Sequence, residues 1–163
     1  NLKAYSREQQ VDRVEMDLNR GLESTLRLMR PQFESKNIRV HSELGKISPI
    51  RAYPGELNQV FTNLLVNSVQ AIDHGEEIHI ATFEEDAFTV IEIADSGPGI
   101  PEQERDRVFQ RFYRLESHRG AEGNGLGLSL VAAVAKLHQT EILLEDNNPG
   151  LRVVWDLPRD RLV

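Results

Sequence analysis

The chain contains no cysteine, which excludes disulfides, thiolate metal sites and cysteine nucleophiles. It has no apolar run near the roughly 20 residues that a membrane span needs, and no signal-peptide pattern opens it. Basic residues are outnumbered, 19 Lys and Arg against 26 Asp and Glu, giving a net charge of -7. That balance argues against nucleic acid as a partner, because phosphate backbones attract a basic face. Internal repeats and low-complexity segments are also lacking. We therefore expect a cytoplasmic domain that makes no membrane contact of its own. The 163 residues suffice for one domain burying roughly 70% of the surface its unfolded chain exposes. The first residue is Asn1 rather than Met, so a fragment of a longer protein is expected.

What is present centres on Glu92-Ile93-Ala94-Asp95-Ser96-Gly97-Pro98-Gly99-Ile100. The preceding Phe88-Thr89-Val90-Ile91 reads as a strand. The strand ends on one carboxylate, and the glycines around Pro98 permit a fixed bend and close backbone approach by a ligand. Taken alone, this is either an ordinary turn capped by Asp95 or a carboxylate poised to accept a hydrogen bond from an amino group.

The remaining pattern alternates helices and strands. Residues 1–13 read as a linker, and residues 14–163 as the folded domain. Val14 and Met16 suit a short extended lead-in. Asp17 or Asn19 can cap a helix carrying Leu22, Leu26, Met29 and Phe33, with Pro31 expected to bend or break it. Ile38–Leu44 alternates as a strand, and 45–51 reads as a loop. Pro54 opens a second helix whose apolar face is Leu57, Val60, Phe61, Leu64, Leu65, Ser68, Val69 and Ile72. Beside that face run Glu56, Asn63, Asn67 and Gln70. Asparagine is a poor choice inside a helix, so this stripe is either a solvated face or a pair of amides offered to a cation or a phosphate.

Strands follow around Ile78–Ile80 and Val90–Ile93, joined by Glu84-Glu85-Asp86, and then a short helical turn from Pro101. Phe109 and Phe112 pack on one side of a turn, and residues 115–124 lose all hydrophobic periodicity. Gly123-Asn124-Gly125-Leu126-Gly127-Leu128 then enters an alanine-rich helix. Its N-terminus offers unpaired N–H groups to a phosphate, though no Lys-Ser/Thr follows as in a P-loop. Two last strands flank the turn Asp146–Gly150. None of the five histidines has metal-ligand spacing with a carboxylate partner. His138 sits at a helix C-terminus, where a positive ring would be favoured. Only His118 is a candidate for touching a ligand.

Asn63-x-x-x-Asn67, Asp95-x-Gly97-x-Gly99, Phe109-x-x-Phe112 and Gly123-x-Gly125-x-Gly127 occur in that order. Together they resemble the N, G1, F and G2 boxes of the ATP-binding domain of sensor histidine kinases, over roughly residues 14–158. The resemblance implies a Bergerat-type α+β fold, a two-layer α/β sandwich with a mixed, mostly antiparallel sheet and helices on one face. It implies that Asp95 accepts from the adenine amino group while Gly97 and Gly99 let the backbone pass base and sugar. Asn67 would ligate Mg2+, and Asn63 would support the phosphates. Gly125 and Gly127 would hold phosphates under a lid of residues 110–124, with Arg114, and less directly Arg111 and Arg119, bringing charge to the γ-phosphate. The implied catalytic set is Asn63, Asn67 and Arg114. The implied ATP-binding set adds Gln70, Ile100, Phe112, Gly123, Asn124, Leu126 and Leu128. Implied partners are a dimerisation domain carrying the acceptor histidine and a response-regulator receiver domain.

Four departures stand out. Gln70 replaces a basic residue common in the family, and Ser68 replaces a common Ala without evident harm. His138-Gln139-Thr140 stands where His-Gly-Gly is frequent. No phospho-acceptor histidine motif is present, though residues 1–13 suit the tail of the helical hairpin that would carry it. Two rival readings remain. One is an ATP hydrolase related to DNA gyrase, MutL or the heat-shock chaperones, which place a water-activating Glu where Asn63 stands; an amide cannot act as that base. The other is an inactive nucleotide-binding scaffold, disfavoured by the intact Asp95, Asn67 and glycines.

Overall fold

A computed structural model describes residues 13–110 and 127–159. Two sheets and three helices account for them. β1 (Val14–Met16) pairs antiparallel with β3 (Ile50–Ala52) in a small two-stranded sheet. The main sheet has the order β2 (Arg39–Leu44), β4 (Glu77–Glu85), β5 (Phe88–Asp95), β7 (Leu151–Pro158), β6 (Ile142–Asp146). The β2–β4 pair is parallel and the other three pairs are antiparallel. This is the expected mixed, mostly antiparallel sheet.

Helices α1 (Leu18–Ser35), α2 (Pro54–Ala71) and α3 (Gly127–Leu137) supply the second layer. Asp17 caps α1, its carboxylate accepting from the Arg20 N–H at 3.3 Å. Pro31 lies inside α1 and does not end it. The proline ring is exposed, while Met29 and Phe33 on either side are buried, so packing of the apolar face carries the helix past the missing N–H. In α2, the buried residues are Leu57, Val60, Phe61, Leu64, Leu65, Ser68 and Val69, the face expected from spacing. The Lys36 ammonium donates to the Val69 and Ile72 carbonyls at 2.7 and 2.8 Å. Both carbonyls lie at the α2 C-terminus, where a cation is favoured.

One core joins the layers, with Phe61, Leu65 and Leu22 from the helices meeting Ile78, Ile80, Ile93 and Trp155 from the sheet. A smaller cluster, Ile100 and Val108 with Phe109, Leu128, Leu144 and Leu151 packed on it, seats α3 against the segment after β5. That segment forms two 3-10 turns, Glu102–Glu104 and Arg107–Phe109. No helix among the described residues is long and apolar enough to cross a membrane.

The strand β3 was not expected, since residues 45–51 read as loop; three residues are too few to show alternation. His138 also differs from expectation. Its ring is buried, with Nδ1 2.9 Å from the Val134 carbonyl and Nε2 accepting from the Tyr53 N–H at 3.2 Å. One donating and one accepting nitrogen is the pattern of a neutral imidazole, not of a positive ring.

Phe61 is fully buried between the helices, whereas Leu28 on α1 is 77% exposed. Phe61→Ala should lower unfolding free energy by about 3–5 kcal/mol, and Leu28→Ala should stay within about 0.5 kcal/mol of the parent. Urea unfolding midpoints of the two variants check this ordering.

Candidate functional site

The site begins at the last residue of β5. Asp95 is only 4% exposed and faces the helix layer, because it pairs with the buried Ile78 across β4. Its carboxylate accepts from the Gly97 N–H at 3.0 Å and from the Leu151 N–H at 3.3 Å. Burial pushes the Asp95 carboxyl above the usual 3.8, while these two N–H groups and the Ser68 hydroxyl favour the charged form; Glu76 raises it a little further.

The surrounding backbone comes too close for side chains. A Cβ on Gly97 would stand 3.2 Å from the Asp95 carboxylate. Gly99 has φ +76, and its Cβ would meet the Gly150 carbonyl at 2.8 Å. Gly150 has φ +114, and its Cβ would fall 1.8 Å from the Asp95 carbonyl. That carbonyl also accepts from the Asn147 amide at 2.8 Å. The β6–β7 turn and the β5 turn are therefore interlocked. Ser96 fastens the other side, its hydroxyl accepting from the Glu77 N–H at 2.9 Å and donating to the Glu76 carboxylate at 2.8 Å.

A second cluster lies one turn back along α2. The Asn63 amide donates to the Gly127 carbonyl at 3.4 Å. A Cβ on Gly127 would be 3.5 Å from Asn67 Nδ2, an atom buried with no hydrogen-bond partner. Both asparagines thus face the first residue of α3, where helix N–H groups are unpaired. An orphaned buried amide is costly, so a polar ligand at that helix end would satisfy it. Because Asn O and N are interchangeable by an amide flip, Asn67 can present either a donor to a phosphate or an oxygen to a hard cation. The donor set fits both.

The structure therefore gathers Asp95, Gly97, Gly99 and Ile100 beside the C-terminal end of α2 and Asn63, Asn67, Gly127 and Leu128 about one turn before it. Ile100 and Leu128 meet in the smaller apolar cluster. Gln70 lies exposed on α2. Phe112, Arg114, Gly123, Asn124, Gly125 and Leu126 lie outside the described residues, as do Arg111, His118 and Arg119. Sequence reasoning missed three contributors: the Leu151 N–H, the Asn147–Gly150 turn and Ser68. Only Ser68 left a trace, as a departure judged harmless; at 6% exposure its hydroxyl is one of the groups that favour the Asp95 charge.

The expectation that no histidine pair has metal-ligand spacing with a carboxylate partner is overturned by His41, His79 and Glu77. His41 and His79 are direct partners in the β2–β4 register, and Glu77 lies within reach of both rings. The two histidines are 38 positions apart in sequence, so only the strand pairing reveals them.

Residues 52–161 match the family of histidine kinase-, DNA gyrase B- and HSP90-like ATPases. The chain belongs to this ATPase family. It is 32% identical over 136 residues to the adaptive-response sensory kinase SasA of Gloeothece citriformis, covering 82% of this chain and 35% of that protein. It is 29% identical over 136 residues to the signal transduction histidine-protein kinase BaeS of Escherichia coli, covering 81% of this chain and 29% of that protein. The chain thus spans about a third of the length of the curated relatives it matches. Among solved structures, the catalytic domain of histidine kinase ThkA superposes with a TM-score of 0.83 at 23% identity, covering 91% of this chain and 97% of that one. The Bergerat-type α+β fold inferred from the motifs is the fold observed.

The raised Asp95 carboxyl has a pH signature. A folded-state value above the unfolded one means that the neutral acid favours folding. The relative stabilisation is complete below the usual 3.8 and is lost as pH rises through the raised value. Asp95→Asn mimics the neutral acid, so its stability relative to the parent should be greatest near neutral pH and shrink towards about pH 4. Urea unfolding of ligand-free parent and variant across that range measures the difference. A pH-independent difference would show that the carboxyl is unperturbed.

Proposed function

We propose that this chain is the ATP-binding kinase domain of a sensor histidine kinase. It delivers the γ-phosphoryl group of ATP to a histidine on a dimerisation domain of the same kinase, from which a response regulator takes it. In this reading residues 14–163 form the catalytic domain, residues 1–13 are a linker or the tail of the dimerisation helix, and the domain works in the cytoplasm. The observation that carries the proposal is the two-ended site along α2: a buried carboxylate acceptor at Asp95, and an unsatisfied amide at Asn67 facing a helix N-terminus. The SasA and BaeS relatives are named as kinases of this type, and ThkA has been captured with its response regulator TrrA.

Adenine offers an amino donor where guanine offers a carbonyl, and an ionised Asp95 can only accept. Asp95 therefore selects adenine, with Gly97 and Gly99 leaving room for base and sugar and Ile100 and Leu128 giving it an apolar wall. Asn63 and Asn67 meet the phosphates at the start of α3, with Gly123, Asn124, Gly125, Leu126 and Gly127 as the phosphate loop and Phe112 and Arg114 in the lid. Gln70 offers an amide in place of a cation. Asn67 would hold Mg2+ through its amide oxygen, and the ion would supply charge neutralisation. In the transfer, a nitrogen of the acceptor histidine forms a bond to the γ-phosphorus as the bond to the β–γ bridging oxygen breaks, and ADP leaves. The chain's part is to position and to stabilise charge. Asn63 offers no base to activate water, which favours transfer over hydrolysis.

Asn67→Ala should reduce affinity for Mg2+-ATP by at least about tenfold while leaving metal-free adenosine binding nearly unchanged, since losing a hydrogen bond to a charged group costs roughly 1.5–3 kcal/mol. Calorimetric titration with both ligands tests this, and equal losses would mean damage to the fold instead.

The chain alone should hydrolyse ATP very slowly, yet label an added dimerisation domain slowly and saturably. Tethering is worth up to roughly 7–11 kcal/mol when well oriented, and separate domains forgo it. Radiolabelled ATP with the chain, with the added domain, and with that domain's histidine replaced is the assay. Brisk hydrolysis by the chain alone would move the assignment to the hydrolase branch.

A further inference from the structure

The open face of the main sheet, opposite the helices, carries a second constellation. β2 and β4 run parallel in a register that pairs His41 with His79 and Arg39 with Glu77. Residues two apart on a strand share a face, so Glu77 and His79 point the same way from β4. The two imidazoles stack with centroids 4.6 Å apart and 15° between their planes. Both turn Nε2 towards one carboxylate. His41 Nε2 is 3.3 Å from Glu77 Oε1, and His79 Nε2 is 3.7 Å from Glu77 Oε2. Among the described residues, this is the one group of three such side chains whose ligand atoms all lie within 4.8 Å of one another.

We propose that His41, Glu77 and His79 form a surface site for a borderline divalent cation, with Zn2+ as its best-matched ion. Zinc bonds to imidazole nitrogen and carboxylate oxygen near 2.1 Å in tetrahedral geometry, which puts neighbouring ligand atoms about 3.4 Å apart. The two histidine–glutamate separations already bracket that value. The stacked rings must turn out of parallel to aim both nitrogens at one ion, and the 48% and 55% exposure of the His41 and His79 side chains leaves them room to do so. Three protein ligands leave a fourth position for water.

The donor set also sets the selectivity. Two imidazoles and one carboxylate suit zinc, nickel or copper, whereas Mg2+ demands an octahedron of oxygens. The site is therefore chemically distinct from the amide cluster on α2. Charge around it is mixed. Arg39 pairs with Glu77 at 3.2 Å and must swing aside when an ion binds. His41 and His79 line a groove of about 340 Å³ shared with Glu43, Glu92 and Arg152, and its two carboxylates offset Arg152. A bound ion would tie the edge strand β2 to β4 through side chains as well as through the backbone ladder.

The test is calorimetric titration of Zn2+ into the 163-residue chain, with millimolar Mg2+ present and no nucleotide. One saturable equivalent in the micromolar range is expected. His41→Ala, His79→Ala and Glu77→Gln should each weaken it by no less than the roughly 10–100-fold typical of losing even an outer-shell partner. His74→Ala, in an exposed turn, should bind as the parent does. Metal-free melting curves of the two exposed-histidine variants should match the parent, which separates lost ligation from lost fold. Full-strength binding by the His41→Ala/His79→Ala double variant, or no saturable Zn2+ uptake by the parent, overturns the proposal. Neither outcome bears on nucleotide binding.

Discussion

A carboxylate held almost out of water at the end of a central strand is the constraint on which the site depends. Burying such a charge is costly unless fixed donors replace its hydration. Here they come from three places: the Gly97 N–H of the following turn, the Leu151 N–H at the start of β7, and the Ser68 hydroxyl of α2. Each donor requires its own segment to be in place. The β5 turn, the β6–β7 turn and the helix layer thus all meet at one side chain. The glycines answer to the same constraint. With the Asp95 carbonyl 1.8 Å from where a Gly150 Cβ would sit, any side chain there would push apart the two turns that hold the carboxylate.

Helix α2 converts this local arrangement into a site with two ends. Its apolar face is anchored in the core by Leu57, Phe61, Leu64 and Leu65, and Lys36 closes its C-terminus. Ser68 reaches Asp95, while Asn67, the preceding residue, faces α3 instead. Successive helical residues differ by about 100°, and the rise from Asn63 to Ser68 is roughly 7.5 Å. The carboxylate acceptor and the amide cluster are therefore held a fixed step apart by a rigid rod. A ligand with a base at one end and phosphates at the other must match that step.

Much of this was legible in the sequence, and the reason differs from element to element. The buried face of α2 follows from spacing alone, because seven apolar or small positions repeat at helical intervals. The strand ending at Asp95 is marked by β-branched residues followed by the glycine turn. What could not be read depends on pairing between distant segments. β1 and β3 are three residues each, and their pairing carries no signature. The Leu151 N–H is a backbone group, so no residue type advertises it. His41 and His79 look like isolated solvent-facing histidines until the parallel register of β2 and β4 sets them side by side. His138 shows the converse: its place at a helix end suggested a charge, but burial against Tyr53 and Trp155 and a donor–acceptor pair of hydrogen bonds make it a structural neutral ring.

The amide at position 63 links architecture to chemistry most directly. Its Nδ2 donates to the Gly127 carbonyl, which helps fasten the start of α3 to α2. A carboxylate in that place would face a carbonyl oxygen with no proton to offer, and would repel it. The donor that joins the two helices is thus incompatible with a general base at the same position. In a family of histidine kinase-, DNA gyrase B- and HSP90-like ATPases, the side chain here helps fasten the helix pair and offers no base that could activate water. Val131, Val134 and Ala135 seat α3 in the core, and the Asn63 hydrogen bond fixes its first residue against α2.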